Sequence, residues 1–526
     1  MPMHDLLIEP AFQVTLRSGR SGTLTLPGVI ASLARDDDIV SFDHLRPHQQ
    51  HAWHAFLVQL AAIALSDAGS PLDSADESTW RDRLRHLTHK HGDHAPWCLV
   101  VEDLSLPAFM QPPVPEGHLE ALEKVSVFPD APALELLSVA RQHDVKATRV
   151  AAPDSDHWAY ALVGLQTMQA YSGSNQHAIA RMDGGAGTRS CVALAPGLDF
   201  GLRFRRDLAV LLEVRQELAA QYGYPAAGGL ALLWVEPWDG SASLPLSRLD
   251  PYFIEVCRRV RLMVGAKGIE ARTAPSAQPR IAAKAARGNT GDPWAPVSAE
   301  GKALTVHKDG FSYRELEKLL FGRDWTPGPA QRVARGDPPA LLLLAVSFGH
   351  RRRLTGLEGF HERLLPLPGR VVRNLTAAEG RDLLAQMAKQ RVEAVQRLQR
   401  NVLRPSLGVL FKGWSRAVAL DRDPWLRRHD AAVDQLFFPR LWRDLERGAL
   451  EAQLEWEREI IELGRTVLRE AQESVPLATA RRYRAFAAAE GLFEALARRH
   501  FPDLFAHKEV THGHNAQPWS DPPGRP

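Results

Sequence analysis

Five residues between positions 86 and 94 form the densest group of metal-ligating side chains in the sequence: His86, His89, His91, Asp93 and His94. Imidazole nitrogen and carboxylate oxygen together suit a divalent transition metal. A metal-dependent nuclease using His86–His94 is therefore one function to weigh. The segment is polar and lacks partner ligands at a recognisable spacing, so its plain alternative is a solvated histidine-rich loop. His507, His512 and His514 stand in a tail rich in His, Pro and Gly and carry less weight. No GxxxxGK[ST] phosphate loop, GxSxG elbow or HExxH pair occurs. Cys98, Cys191 and Cys257 are odd in number and widely spaced. They support neither a disulfide framework nor a cysteine-rich zinc site. No metal, cofactor or catalytic residue is expected.

Groups that could meet phosphate are more prominent. Asp183-Gly-Gly-Ala-Gly187 could align successive backbone N–H groups as an anion nest, although such glycine runs are usually turns. Between Arg258 and Arg287 stand eight Lys and Arg residues and one acid, Glu270. Arg351, Arg352 and Arg353 form a tighter cluster. The net charge is only +2, so any contact with nucleic acid must be local. The competing explanation is a pair of solvated faces.

These groups need a large body to hold them. With 526 residues, 45% apolar and 24% charged, the chain is an ordinary globular protein of two or more domains. It has no apolar run of the ~18 residues that a membrane helix needs. Its N-terminus lacks a signal-peptide pattern, so a cytoplasmic location is the default. Residues 5–26 read as short strands turning at Arg17–Gly22. Trp53, Phe56, Leu60 and Ile63 mark one face of a helix over 46–65, with Pro47 in its first turn. Residues 66–96 read as loop-rich, and 264–300 as a loop-rich basic excursion. Leu341–Val346 is a buried strand.

Near residue 370 the pattern changes to long amphipathic helices. Thr376 and Glu379 suggest a capping box. Leu384, Ala388, Val392, Val395, Leu398 and Val402 form the first apolar stripe. Further helices are expected over 429–446, 450–472 and 477–499, with Pro439 kinking the second. The fold class is therefore α+β: an irregular mixed domain over 1–365, a four-helix bundle over 366–506 and a loose tail over 507–526.

Several segments together resemble one known family. MQAYSGSNQHAIARMDGGAGTR (168–189) is similar to the glycine-loop region of the CasA family, the large subunit of the type I-E CRISPR Cascade complex. LLIEPAFQV (6–14), PAFMQPP (107–113), LLLLAVSFGHRRRLTGLEGFHERLLPLP (341–368) and HDAAVDQLFFPRLW (429–442) resemble other family segments in the same order. Their order and spacing are more specific than any one of them.

The resemblance implies a non-catalytic subunit. Its partners would be the other Cascade subunits, the CRISPR guide RNA, double-stranded target DNA with its protospacer-adjacent motif (PAM), and a helicase-nuclease effector. In such complexes RNA pairing reads the long sequence and protein reads the PAM and duplex shape. The glycine loop would be Ser172, Gly173, Ser174 and Asn175, whose small side chains can approach a narrow minor groove. Lys284 would reach into that groove, with Arg280 and Arg287 as rivals and phosphate contact as the simpler role. Arg351, Arg352, Arg353 and Leu354 would form a wedge beside the PAM; the family's best-known wedge tip is a glutamine, absent here. Lys146 and Arg149 would contact guide-RNA or DNA phosphate. Some members carry a cysteine-rich zinc site, and its absence here implies no zinc. The third possibility is a structural scaffold that binds only protein.

Overall fold

The computed structural model describes residues 3–35, 39–68, 76–91, 94–115, 117, 125–134, 154–169, 175–183, 189–195, 197, 199–266, 268–306, 310–332, 340–346, 360–411, 422–474 and 479–505. The chain forms two compact units. One comprises residues 1–311 and 323–372; the other comprises 312–322 and 373–526.

The larger unit carries several small sheets around one apolar core. Strand Phe12–Leu16 pairs antiparallel with Ser21–Leu24 and with Ile39–Phe42. The turn expected at Arg17–Gly22 is present, with Gly19 left-handed at φ +79°. Phe12, Phe42, Trp53 and Tyr160 pack ring against ring, with centroids 5.0–6.5 Å apart. Residues 51–65 of helix Gln50–Ala68 are all buried, not only those on one face. Several of its polar residues are paired: His54 Nε2 lies 2.9 Å from Asp207, which also accepts from Trp294 Nε1 at 2.8 Å, whereas both ring nitrogens of His51 are buried without a hydrogen-bond partner among the described residues.

Two segments differ from the sequence expectation. Residues 66–96 include helix Glu77–Leu87, capped by the Asp76 carboxylate accepting from Thr79 N–H at 2.8 Å. Only Trp80 and Leu84 of that helix are buried, too few to leave a clear apolar stripe. The basic excursion begins not as loop but as a hairpin of strands Arg259–Gly265 and Gly268–Ala274, extended by Ser126–Phe128. Helices Ser155–Met168 and Phe200–Tyr222 add further regular structure to this mixed domain.

Strand Ala340–Val346, expected from its apolar run, is central in a sheet between Cys191–Ala195 and Phe360–Pro366. Its register with the latter runs from Ala340↔Pro366 to Val346↔Phe360.

The smaller unit is helical. Helix Ala378–Leu398 continues through a π turn, Gln399–Leu403, into Arg404–Phe411. Helices Asp423–Arg443, Ala449–Glu473 and Thr479–His500 follow, and Tyr313–Phe321 joins the unit from earlier in the chain. All six residues of the expected first stripe are buried. Ala377, not Thr376, caps helix Ala378–Leu398, so no capping box forms. The last helix buries Ala489, Phe493 and Ala497 and leaves Tyr483 70% exposed. Arg391 and Asp444 form a buried ion pair at 2.8 Å beneath Trp456. Among the described residues no helix is long and apolar enough to cross a membrane.

Candidate nucleic-acid interface

The glycine-loop segment leaves the end of helix Ser155–Met168. Ile179 N–H donates to the carbonyl of Gln169 at 3.1 Å, which closes the base of the excursion. The returning segment is tied down at successive points. Asn175 accepts from Ser276 N–H at 2.9 Å, and His177 Nε2 lies 3.1 Å from the carbonyl of Ser276. The Arg258 guanidinium donates to the carbonyl of His177. Ala180 N–H donates to Glu255 Oε1 at 2.7 Å. Asn175 itself is exposed and left-handed at φ +60°, a conformation that Asn tolerates better than most residues. Ser172, Gly173 and Ser174 lie outside the described residues.

The basic stretch is largely not a surface patch. Arg258, Arg259, Arg261 and Arg280 are all buried. Arg261 donates to the carbonyls of Leu106 and Val101 at 2.9 and 3.1 Å. Arg280 donates to those of Leu233, Glu236 and Pro237 at 3.0–3.2 Å and lies over the Trp238 ring. Burial pulls the pKa of both guanidinium groups down to about 10, and they remain charged at neutral pH. Arg272 pairs with Glu270 at 2.8 Å. Arg287 makes a two-point pair with Asp183 at 2.9 and 3.1 Å. Thus Asp183, the first residue of the proposed anion nest, faces a cation.

Lys284 stands apart from this inward set. It opens the short 3-10 turn Lys284–Ala286, is exposed, and has no acidic partner among the described residues. The turn is held from behind. Arg287 and Gly288 are both left-handed, and a Cβ on Gly288 would come 2.7 Å from the carbonyl carbon of Met182. Only glycine allows this approach. Arg280 is buried, and Arg287, though exposed, is paired with Asp183, which leaves Lys284 as the exposed cation of that turn without an acidic partner among the described residues.

The wedge residues Arg351, Arg352, Arg353 and Leu354, and the phosphate candidates Lys146 and Arg149, lie outside the described residues. So does Asp93. His86 and His89 stack at 5.3 Å, and His89 Nδ1 bonds the His86 carbonyl at 2.7 Å. His94 Nδ1 is 2.6 Å from Asp5. These histidines do not converge on a common point. Among the described residues, the side chains that do are His44, Asp154, Asp156 and His157. Sequence reasoning missed this group. Its local signal was the Asp154-Ser-Asp-His157 run, but His44 comes from far along the chain.

No family model matches the sequence. No curated protein matches it either. Solved structures do. CasA (Cse1) of Thermus thermophilus superposes with a TM-score of 0.62 at 15% identity, over 95% of this chain and 100% of that one. Cse1 of Acidimicrobium ferrooxidans gives 0.61 at 17% identity over 95% and 99%. Cse1 of Thermobifida fusca gives 0.57 at 14% over 95% and 98%. At these identities the likeness is one of fold, and over nearly its whole length this chain has the fold of the CasA (Cse1) proteins.

Proposed function

We propose that this chain is the large subunit of a type I-E CRISPR surveillance complex and that it performs no chemistry of its own. What carries the reading is the coincidence of fold with CasA (Cse1) over almost the full length of both chains. A further structural neighbour, with a TM-score of 0.54, is a chain of a CRISPR RNA-guided surveillance complex. The partners would be the other Cascade subunits, guide RNA, PAM-bearing duplex DNA and a helicase-nuclease.

The mechanism divides readout between RNA and protein. The loop 172–175 inspects the minor groove, where small side chains and backbone fit. Asn175, the described end of that segment, is held by the backbone bond from Ser276. Lys284 contributes positive charge at or near the groove. Arg351, Arg352, Arg353 and Leu354 then wedge the duplex open, and Lys146 and Arg149 hold phosphate nearby. The test is assembly. The chain should co-elute stoichiometrically with a reconstituted complex of guide RNA and the remaining type I-E subunits. Failure to join that complex contradicts the proposal. The nuclease alternative predicts DNA cleavage by the isolated chain, and the scaffold alternative predicts assembly without any change in DNA binding.

A further inference from the structure

The first turn of helix Ser155–Met168 brings two carboxylates and an imidazole together: Asp154 at the N-cap, then Asp156 and His157. His44, just after strand Ile39–Phe42, meets them. Its Nδ1 lies 3.1 Å from each oxygen of Asp156 and 3.9 Å from Oδ2 of Asp154. His157 Nδ1 is 3.2 Å from Oδ1 of Asp156. Ligand atoms of all four side chains fall within 4.8 Å of one another.

Among the described residues, only the two imidazoles stand close enough to balance the charge on Asp156. The Asp156 side chain has no exposure, and no Lys or Arg pairs with it among the described residues. Its contacts are the two imidazoles and the N–H of Gln13 at 3.4 Å. A buried carboxylate needs a positive partner.

A second observation points to what that partner is. His157 Nδ1 accepts the backbone N–H of Asp154 at 3.2 Å. A ring nitrogen offers either a lone pair or a proton. While it accepts that bond Nδ1 carries no proton, so it donates nothing to the Asp156 oxygen 3.2 Å away.

The geometry points to a cation there. We propose that His44, Asp154, Asp156 and His157 form a structural site for a divalent transition-metal ion of the zinc type. With metal–ligand bonds of about 2.0–2.1 Å, a tetrahedral site has ligand–ligand edges of about 3.3–3.4 Å. Three of the six separations, 3.1, 3.2 and 3.9 Å, bracket that value, and the other three lie within 4.8 Å. Two carboxylates neutralise a dication and offset the positive helix N-terminus. Two imidazoles favour zinc-like ions over magnesium or calcium, which take oxygen ligands. Four protein ligands leave no open position, so the role is to fasten His44 to the start of the helix rather than to catalyse. The site needs no cysteine, which is why counting cysteines led to an expectation of no zinc.

The test uses the full chain, stripped by a chelator and titrated with cobalt(II), then with zinc. Wild type should develop tetrahedral d–d bands at one cobalt per chain, displaced by zinc, and zinc should raise its Tm. His44→Gln with Asp154→Asn alters side chains that are 27% and 55% exposed, so no core cavity results. That variant should lose the bands, and its zinc affinity should fall by at least about 10–100-fold. Asp154→Asn alone, the milder change, should weaken zinc in the same direction. A His86→Ala, His89→Ala, His91→Ala variant should keep the bands. Absence of tetrahedral bands in wild type, unchanged zinc affinity in the first two variants, or loss of the bands in the third would overturn the proposal.

Discussion

The backbone N–H of Ser276 donates to the carbonyl of Asn175 at 2.9 Å, pinning the returning end of the glycine-loop segment to the end of strand Gly268–Ala274. Asn175 keeps its left-handed backbone at that point. A residue that resists this conformation should therefore disturb the loop without touching the core.

Asn175→Gly should leave stability and PAM-dependent DNA binding close to wild type. Asn175→Val should cost about 1–2 kcal/mol, the penalty of a branched side chain in that region, and should weaken PAM-dependent binding. Denaturant unfolding of the free chain and binding by the assembled complex measure the two effects. Equal behaviour of Gly and Val would show that the backbone at 175 is not what positions the loop.

Lys284 and Arg280 should separate cleanly. Lys284→Ala should leave Tm unchanged and reduce the log–log salt slope of DNA binding by about 0.9. Arg280→Ala should instead destabilise the fold by roughly 2–4 kcal/mol, because the carbonyls of Leu233, Glu236 and Pro237 lose their donor. A salt-slope change from Arg280 in a still-folded chain, or none from Lys284, would reverse the assignment.

Arg352→Ala with Arg353→Ala should weaken PAM-dependent binding and flatten its salt dependence by up to about one unit of slope per lost phosphate contact. Unchanged affinity and slope in the reconstituted complex would reject the wedge assignment.

Glu255 predicts a pH effect on the fold. Burial raises its pKa from 4.5 to about 7, against the pull of Arg181, Arg189 and Arg258. Because the folded pKa is above the unfolded one, the contribution is fully present below pH 4.5 and is lost as pH rises through about 7. The span amounts to at most about 3 kcal/mol. Glu255→Gln keeps an acceptor for Ala180 N–H and removes the titration. Its Tm should fall less than that of wild type as pH rises across this window. Parallel Tm profiles for the two proteins would contradict the assignment.

Where local periodicity coincided with burial, the fold was legible. The stripe from Leu384 to Val402 is buried as its spacing predicts, and the apolar run at 341–346 forms a strand. Helix Glu77–Leu87 was hidden because it buries only Trp80 and Leu84. The arginines at 258, 259, 261 and 280 misled for a different reason. Charge normally marks solvent, but these guanidinium groups are directed at backbone carbonyls. Nothing in residue type distinguishes an arginine serving carbonyls from one serving phosphate. The cluster at 44 and 154–157 depends on a long-range approach that no local pattern encodes.

We propose that this chain gives a guide-RNA complex its dependence on the PAM. The direct measurement is equilibrium binding, at fixed salt, of two duplexes that differ only in the PAM, by the reconstituted complex with and without this chain. With the chain present, the PAM-bearing duplex should bind at least about tenfold more tightly, equivalent to about 1.4 kcal/mol; without it, the two should bind alike. Equal affinities for both duplexes in the presence of the chain, or a preference that persists in its absence, would contradict the account.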